Sequence, residues 1–172
     1  MRYRAAALFF IAAYLIQSSA LRGGGALGVA PDLILCLVVM FAFLYENRTG
    51  AVYGVLFGLV GDLAFSPVVG PSALGYLAVA LLMGELRYYL YRDSLLNVGI
   101  ATVAGTLVFY FIQWGILAVF GGTYHFLAMV GMLPLLLVFH LAVNVGFYLL
   151  VGRRSMRHPQ DRSYTGTRLY LR

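Results

Sequence analysis

The chain has 172 residues, of which 62% are hydrophobic and only 10% charged, and its net charge of +6 comes from arginines without a single lysine. A soluble domain carries about 25% charged residues to cover its core, so a soluble enzyme, a disordered regulator and a nucleic-acid-binding domain are excluded. The composition is that of an integral membrane protein, and at about 20 residues per spanning helix the length holds six spans and no sizeable soluble domain.

The first apolar run, Ala5 to Leu21, follows Arg2 and Arg4. With Ser18, Ser19 and Ala20 at its end it imitates a signal peptide. A polytopic protein needs no separate signal, however, and this run is long enough to remain as a helix. The second run, Pro31 to Tyr45, holds the sole cysteine, Cys36, which is read as packing. Thr49 to Phe65 and Ser72 to Leu86 follow, separated by the breaker-rich stretch from Ser66 to Ser72. The second, third and fourth runs have only 15–17 residues, about 24 Å against a hydrocarbon core of about 30 Å. They thin the bilayer locally, or Thr49 to Leu86 forms a re-entrant hairpin. The last two runs, Leu95 to Phe120 and Phe126 to Val151, are long, and Pro134 predicts a kink in the latter. The expected fold is an all-α membrane protein of six transmembrane helices, with one polytopic domain over 1–151 and a basic tail over 152–172.

Arginine placement orients these spans. With Met1 in the cytoplasm and six crossings, Arg22 alone of the twelve arginines falls outside, which fits the positive-inside rule with both termini cytoplasmic. A re-entrant hairpin gives the same charge count. The tail, with Arg153, Arg154 and Arg157 at its start, anchors on anionic lipid or, as the sharper alternative, docks a cytoplasmic protein. The tyrosines near run ends, such as Tyr45, Tyr88, Tyr89 and Tyr148, read as an interfacial belt.

Ionisable and polar residues inside spans are expensive, and each is a functional candidate. At about 1.5 Å per residue, Gln17, Asp32, Asp62, Gln113 and His125 form an outer layer, whereas His140 and Glu85 lie about 20 Å down, with Asn144 one turn below His140. The outer layer lines a shallow cavity or, as favoured, hydrogen-bonds helix to helix. Asp62 follows the small-residue stripe Gly54, Gly58 and Gly61, and either caps the turn after it or serves a partner or a gate. His140 and Asn144 read as hydrogen bonders at a packing interface in preference to a proton relay.

No cofactor is expected, because three scattered His and one Cys supply no metal cluster and no nucleotide-binding motif is present. Gly70-Pro71-Ser72-Ala73 with His140 superficially resembles the dyad of rhomboid proteases. A nucleophile and its base must lie within about 3 Å, which the predicted difference in depth forbids.

The stretch from Pro31 to Ser94 carries a likeness. Pro31-Asp32 opens an apolar run, Glu46-Asn47-Arg48 makes a turn, and Gly50, Gly54, Gly58, Gly61 and Asp62 follow, then Ser66-Pro67, Gly70-Pro71, Leu74-Gly75-Tyr76 and the basic exit from Arg87 to Arg92. This resembles the MreD family of rod-shape-determining proteins, in residue pattern over the middle third and in length and layout over the whole chain. The resemblance implies a non-enzymatic subunit of the bacterial elongation machinery in the inner membrane, with MreC as direct partner. Through MreC it implies the RodA glycosyltransferase and its penicillin-binding transpeptidase, together with the actin-like MreB. The Gly54/Gly58/Gly61 face with Asp62 is then expected to pack a partner or the neighbouring spans.

A second reading is a substrate-binding subunit of a vitamin or metal uptake transporter of the energy-coupling-factor kind, which is similar in length and span number. Against it, the first run lacks the Ala-x-x-x-Ala docking pattern of that class: Phe9, Phe10, Ile11, Ile16 and Gln17 stand four residues after its alanines.

Overall fold

The computed structural model describes residues 3–20, 31–45, 47–66, 68–90, 94–119 and 126–152. Among the described residues the regular structure is wholly helical. Six helices follow one another: α1 (Tyr3–Ala20), α2 (Leu33–Met40, continued by a π-helical turn Phe41–Tyr45), α3 (Asn47–Phe65), α4 (Pro71–Tyr89), α5 (Leu95–Val119) and α6 (Phe126–Phe147, continued by a π-helical turn Tyr148–Gly152). Pro67, Arg22, His125 and the basic tail with Arg153, Arg154 and Arg157 lie outside the described residues.

The bundle is organised around α2. Every residue from Ile34 to Leu44 is buried, and α2 touches each of the other five helices. Its sequence explains this position: Leu33-Ile-Leu-Cys-Leu-Val-Val-Met-Phe-Ala-Phe-Leu has no polar side chain on any face, and a helix apolar all round is driven to the centre. Phe10 of α1, fully buried, meets the core rings of Phe41, Tyr53 and Phe57 at centroid distances of 5.6, 5.3 and 5.8 Å. The first apolar run is therefore a working part of the bundle. Tyr148, expected in an aromatic belt, is instead 4% exposed and packs in the core, while Tyr88 and Tyr89 project outward.

The glycines of α3 set its distance from α2 and α4. Gly50, Gly54 and Gly58 recur every fourth residue and so share one stripe. A Cβ on Gly50 would come within 2.8 Å of Ala42 Cβ, on Gly54 within 2.8 Å of Val38 Cγ2, and on Gly58 within 2.7 Å of Ala73 Cα. Close approach of backbones is the main packing device left when lipid removes the hydrophobic drive between helices. Gly61 leaves the stripe, and a Cβ there would meet no atom within 4 Å.

The third and fourth runs prove longer than the sequence suggested. α3 and α4 each have 19 residues, about 28 Å at the usual rise. The apolar runs stop at charged residues, but backbone hydrogen bonding carries the helices on through Arg48 and Arg87. Among the described residues three helical segments are long and apolar enough to cross a membrane, namely Arg48–Phe65, Leu95–Val119 and Met129–Leu150, with Ala6–Ser19 and Leu33–Tyr45 shorter. Large apolar side chains such as Leu8, Leu15, Val52, Leu56, Leu63, Leu96 and Val138 face outward. In water such a surface would drive aggregation, and around a bundle of this composition it is the face offered to lipid.

Candidate functional site

The start of α2 is buried, which poses a problem. The first four N–H groups of a helix have no partner within it, and no water is at hand inside a membrane to satisfy them. Here side chains from three elements do so. The Asp32 N–H donates to His140 Nε2 at 2.9 Å, the Leu33 and Ile34 N–H groups donate to Gln17 Oε1 at 3.0 and 3.3 Å, and the Leu35 N–H donates to Asp32 Oδ1 at 3.0 Å. Asp32 is thus the N-cap of α2, in an extended backbone conformation.

Three donors converge on the Asp32 carboxylate. Gln17 Nε2 reaches Oδ1 at 3.3 Å beside the Leu35 N–H, and the Tyr76 hydroxyl reaches Oδ2 at 2.6 Å. A separation that short is typical of an O–H donating to a charged oxygen. Tyr76 is held flat by Phe109, whose ring stacks on it at 4.8 Å and 11°.

The tautomer of His140 follows from its partners. A backbone N–H can only donate, so Nε2 holds a lone pair and the neutral ring carries its proton on Nδ1. That proton is aimed at Thr106 Oγ1, 3.0 Å away. One turn along, Asn144 Nδ2 donates to Thr102 Oγ1 at 2.9 Å, and the Thr102 hydroxyl donates to Val98 O at 2.8 Å. The pairs Thr106–His140 and Thr102–Asn144 form a polar ladder between antiparallel α5 and α6. The Asn144 Oδ1 is buried with no partner among the described residues.

A second carboxylate serves the start of α4. Asp62, 3% exposed, accepts from the N–H groups of Gly70 at 2.9 Å and Ser72 at 3.0 Å, both on Oδ2. Gly70 is the N-cap of α4 with φ of 119°, a conformation that favours glycine, and it has no side chain to cap with. Asp62 supplies that cap from the end of α3. Across the helix start, Gln113 Nε2 lies 3.4 Å from Ser72 Oγ.

These groups enclose a cavity of about 500 Å³ whose lining includes Gln17, Asp32, Asp62, Ser72, Tyr76 and Gln113. Gly61, also in its wall, leaves space that a side chain would occupy. The four outer-layer residues among those described are therefore brought together around one space. They also hydrogen-bond between helices.

The predicted inner layer is corrected. His140 is not a separate level below Asp32, because its ring bonds the Asp32 backbone directly. The depth estimate placed the start of every run at the membrane edge, whereas α2 is a short central helix that begins inside the bundle. Glu85, expected at a similar depth to His140, stands on the exposed face of α4, while His140 is fully buried. Sequence reasoning also missed Tyr76, Thr102 and Thr106. The two threonines were findable, since their four-residue spacing matches that of His140 and Asn144 on the next helix.

Chemically the arrangement binds and braces. Both nitrogens of His140 are engaged, by a backbone N–H and by Thr106, so the ring offers no free base to Ser72. Among the described residues no group of three or more His, Cys, Asp or Glu is placed to hold a metal ion.

No curated protein and no solved structure matches the chain, so the likeness to uptake-transporter subunits rests on length and layout alone. The family model described as rod shape-determining protein MreD matches residues 2–153. That match spans all six helices, and the chain belongs to the MreD family of rod shape-determining membrane proteins.

Proposed function

We propose that this protein is a non-enzymatic scaffold of the cell-elongation complex in the bacterial inner membrane, binding MreC directly and, through it, RodA and the penicillin-binding transpeptidase, with MreB on the cytoplasmic side. The match to the MreD family over residues 2–153 carries this reading. The geometry supports it: the polar side chains at depth cap helix starts and bridge helices, as expected of a rigid membrane platform.

In this reading all six helices cross the bilayer and both termini are cytoplasmic. Support comes from Arg48 and Arg87, which lie at the end of the bundle away from the cavity. There the Arg87 guanidinium donates to Tyr45 O at 3.4 Å, an arrangement that fits the positive-inside rule. The cavity then opens in the outer half. The Gly54 and Gly58 stripe is filled by α2 and α4, so an MreC helix docks on one of the outward apolar faces instead.

The test is affinity purification of the tagged protein from native membranes in mild detergent, with companions identified by mass spectrometry. Recovery of MreC, RodA or the transpeptidase is expected. Recovery of ATP-binding cassette subunits without any wall-synthesis protein would overturn the proposal in favour of solute uptake.

A further inference from the structure

The cavity between α1, α3, α4 and α5 has a chemistry that scaffolding does not use. Its volume of about 500 Å³ falls within the range of small-molecule sites. Among the described residues that line it, the charged ones are Asp32 and Asp62, and no basic side chain joins them. Asp32 receives donors only, as an ionised carboxylate does. Asp62 takes two backbone N–H groups on Oδ2, while no described residue donates to its Oδ1.

Each carboxylate sits at the N-terminus of a helix, worth about half a positive charge. Two full charges set against two halves leave about one net negative charge on the cavity wall. Aromatic rings complete the lining. Tyr14 lies 5.8 Å from Phe57 and 6.5 Å from Phe65 between α1 and α3. From α4 and α5, the Tyr76 ring stacks on Phe109, which meets Tyr110 edge-on at 5.3 Å. Ring faces beside carboxylates are the setting in which organic cations are held. An anion would be repelled, and a hydrated inorganic ion would leave the aromatic walls unused.

We propose that this cavity binds an organic ammonium ion, with the charged nitrogen toward Asp62 Oδ1 and Asp32 Oδ2 and the carbon body against the rings. The ammonium group comes either from a free amine or from the headgroup of phosphatidylethanolamine.

The test uses the full chain in nanodiscs of phosphatidylglycerol alone, or of phosphatidylglycerol with phosphatidylethanolamine, and follows thermal unfolding with millimolar n-butylammonium, n-butanol or butyrate. Two variants accompany the wild type. Asp62→Asn removes the charge but keeps an oxygen for the Gly70 and Ser72 N–H groups, and Gly61→Leu fills the cavity from a position where a Cβ meets nothing within 4 Å. The ammonium alone is expected to raise the wild-type midpoint in phosphatidylglycerol, and each variant to weaken that response at least tenfold in concentration. A shift of the same size in both lipids assigns a free amine. A wild-type midpoint already raised by phosphatidylethanolamine, with no further gain from butylammonium, assigns the headgroup. An equal response to all three probes in both lipids, or an undiminished ammonium response in folded Gly61→Leu, would overturn the proposal.

Discussion

Replacing Gly58 by alanine tests whether backbone approach between α3 and α4 holds this bundle together. The new Cβ would stand 2.7 Å from Ala73 Cα, 2.8 Å from Ala73 N and 2.8 Å from Tyr76 Cδ2. Carbon atoms rest at about 3.5–4.0 Å, so the helices must separate locally by about 0.7–1.3 Å, which forfeits at least a quarter to a half of the dispersion energy along that contact. Two of the three obstructing atoms belong to backbone and cannot rotate away. Overpacking of this kind costs about 1–3 kcal/mol, while alanine over glycine returns about 1 kcal/mol of helix propensity. Gly61→Ala isolates the packing term, because it lies one turn along the same helix with nothing within 4 Å of its Cβ. The propensity gain is then common to both variants, and their difference should be about 1–3 kcal/mol. That corresponds to a gap of about 2–10 °C in unfolding midpoint for a chain of this size. Fluorescence of the single tryptophan, Trp114, in one detergent reads both midpoints. Equal midpoints would refute the reasoning and return the stripe to a role at a partner surface.

Asp32→Ala removes an N-cap worth about 1 kcal/mol and leaves the buried Tyr76 hydroxyl without its acceptor at about 1–3 kcal/mol. Tyr76→Phe should then cost little in the Asp32→Ala background but about 1.5–3 kcal/mol alone, a coupling that a double-mutant cycle in chemical denaturant measures and that additive losses would contradict. On the α5–α6 ladder, Thr106→Val strands the His140 Nδ1–H at about 1–3 kcal/mol. Asn144→Leu gives up the bond to Thr102, whose hydroxyl keeps Val98 O, but also removes an oxygen that already lacks a partner, and should stay within about 1 kcal/mol of the wild type. The reverse ranking of midpoints would show that the ladder is misread. Nitrogen-15 NMR of labelled histidine should find His140 as the neutral Nδ1–H tautomer, and a protonated Nε2 would break the assignment of the Asp32 N–H as its donor.

The helix count, the apolar faces and the shared face of Gly54 and Gly58 were legible in the sequence because each depends on local periodicity, whereas Gly61, expected with them, leaves the stripe. Every fourth residue from Gly50 to Gly58 shares a face whatever the fold, and charge bounds each run. The order of helices around a centre was not legible in the same way. It was encoded in the second run, which has no polar side chain over the whole of Leu33 to Leu44 and so cannot lie at a rim that alternates between lipid and protein without wasting one face. Read by length alone, that run is a short span starting at the membrane edge, which sets Asp32 at the wrong depth relative to His140.

The same error explains why the polar residues were assigned to two layers. A helix that begins inside a membrane protein needs partners for its first four N–H groups, and it finds them on other helices: Gln17 from α1 and His140 from α6, with Asp32 at its own cap. The start of α4 repeats the device with Asp62. Each carboxylate meets the partial positive charge of a helix N-terminus, and both face the same space because those two helices begin at the same end of the bundle. Structural capping therefore concentrates negative charge on one cavity wall without any separate constraint for binding. An intramembrane carboxylate signals function by default only when its fold gives it nothing else to do. Here the fold employs Asp62 through Oδ2 at the start of α4 while the same residue lines the cavity, so Asp62→Asn, which keeps an oxygen for the cap and removes the charge, separates the two roles.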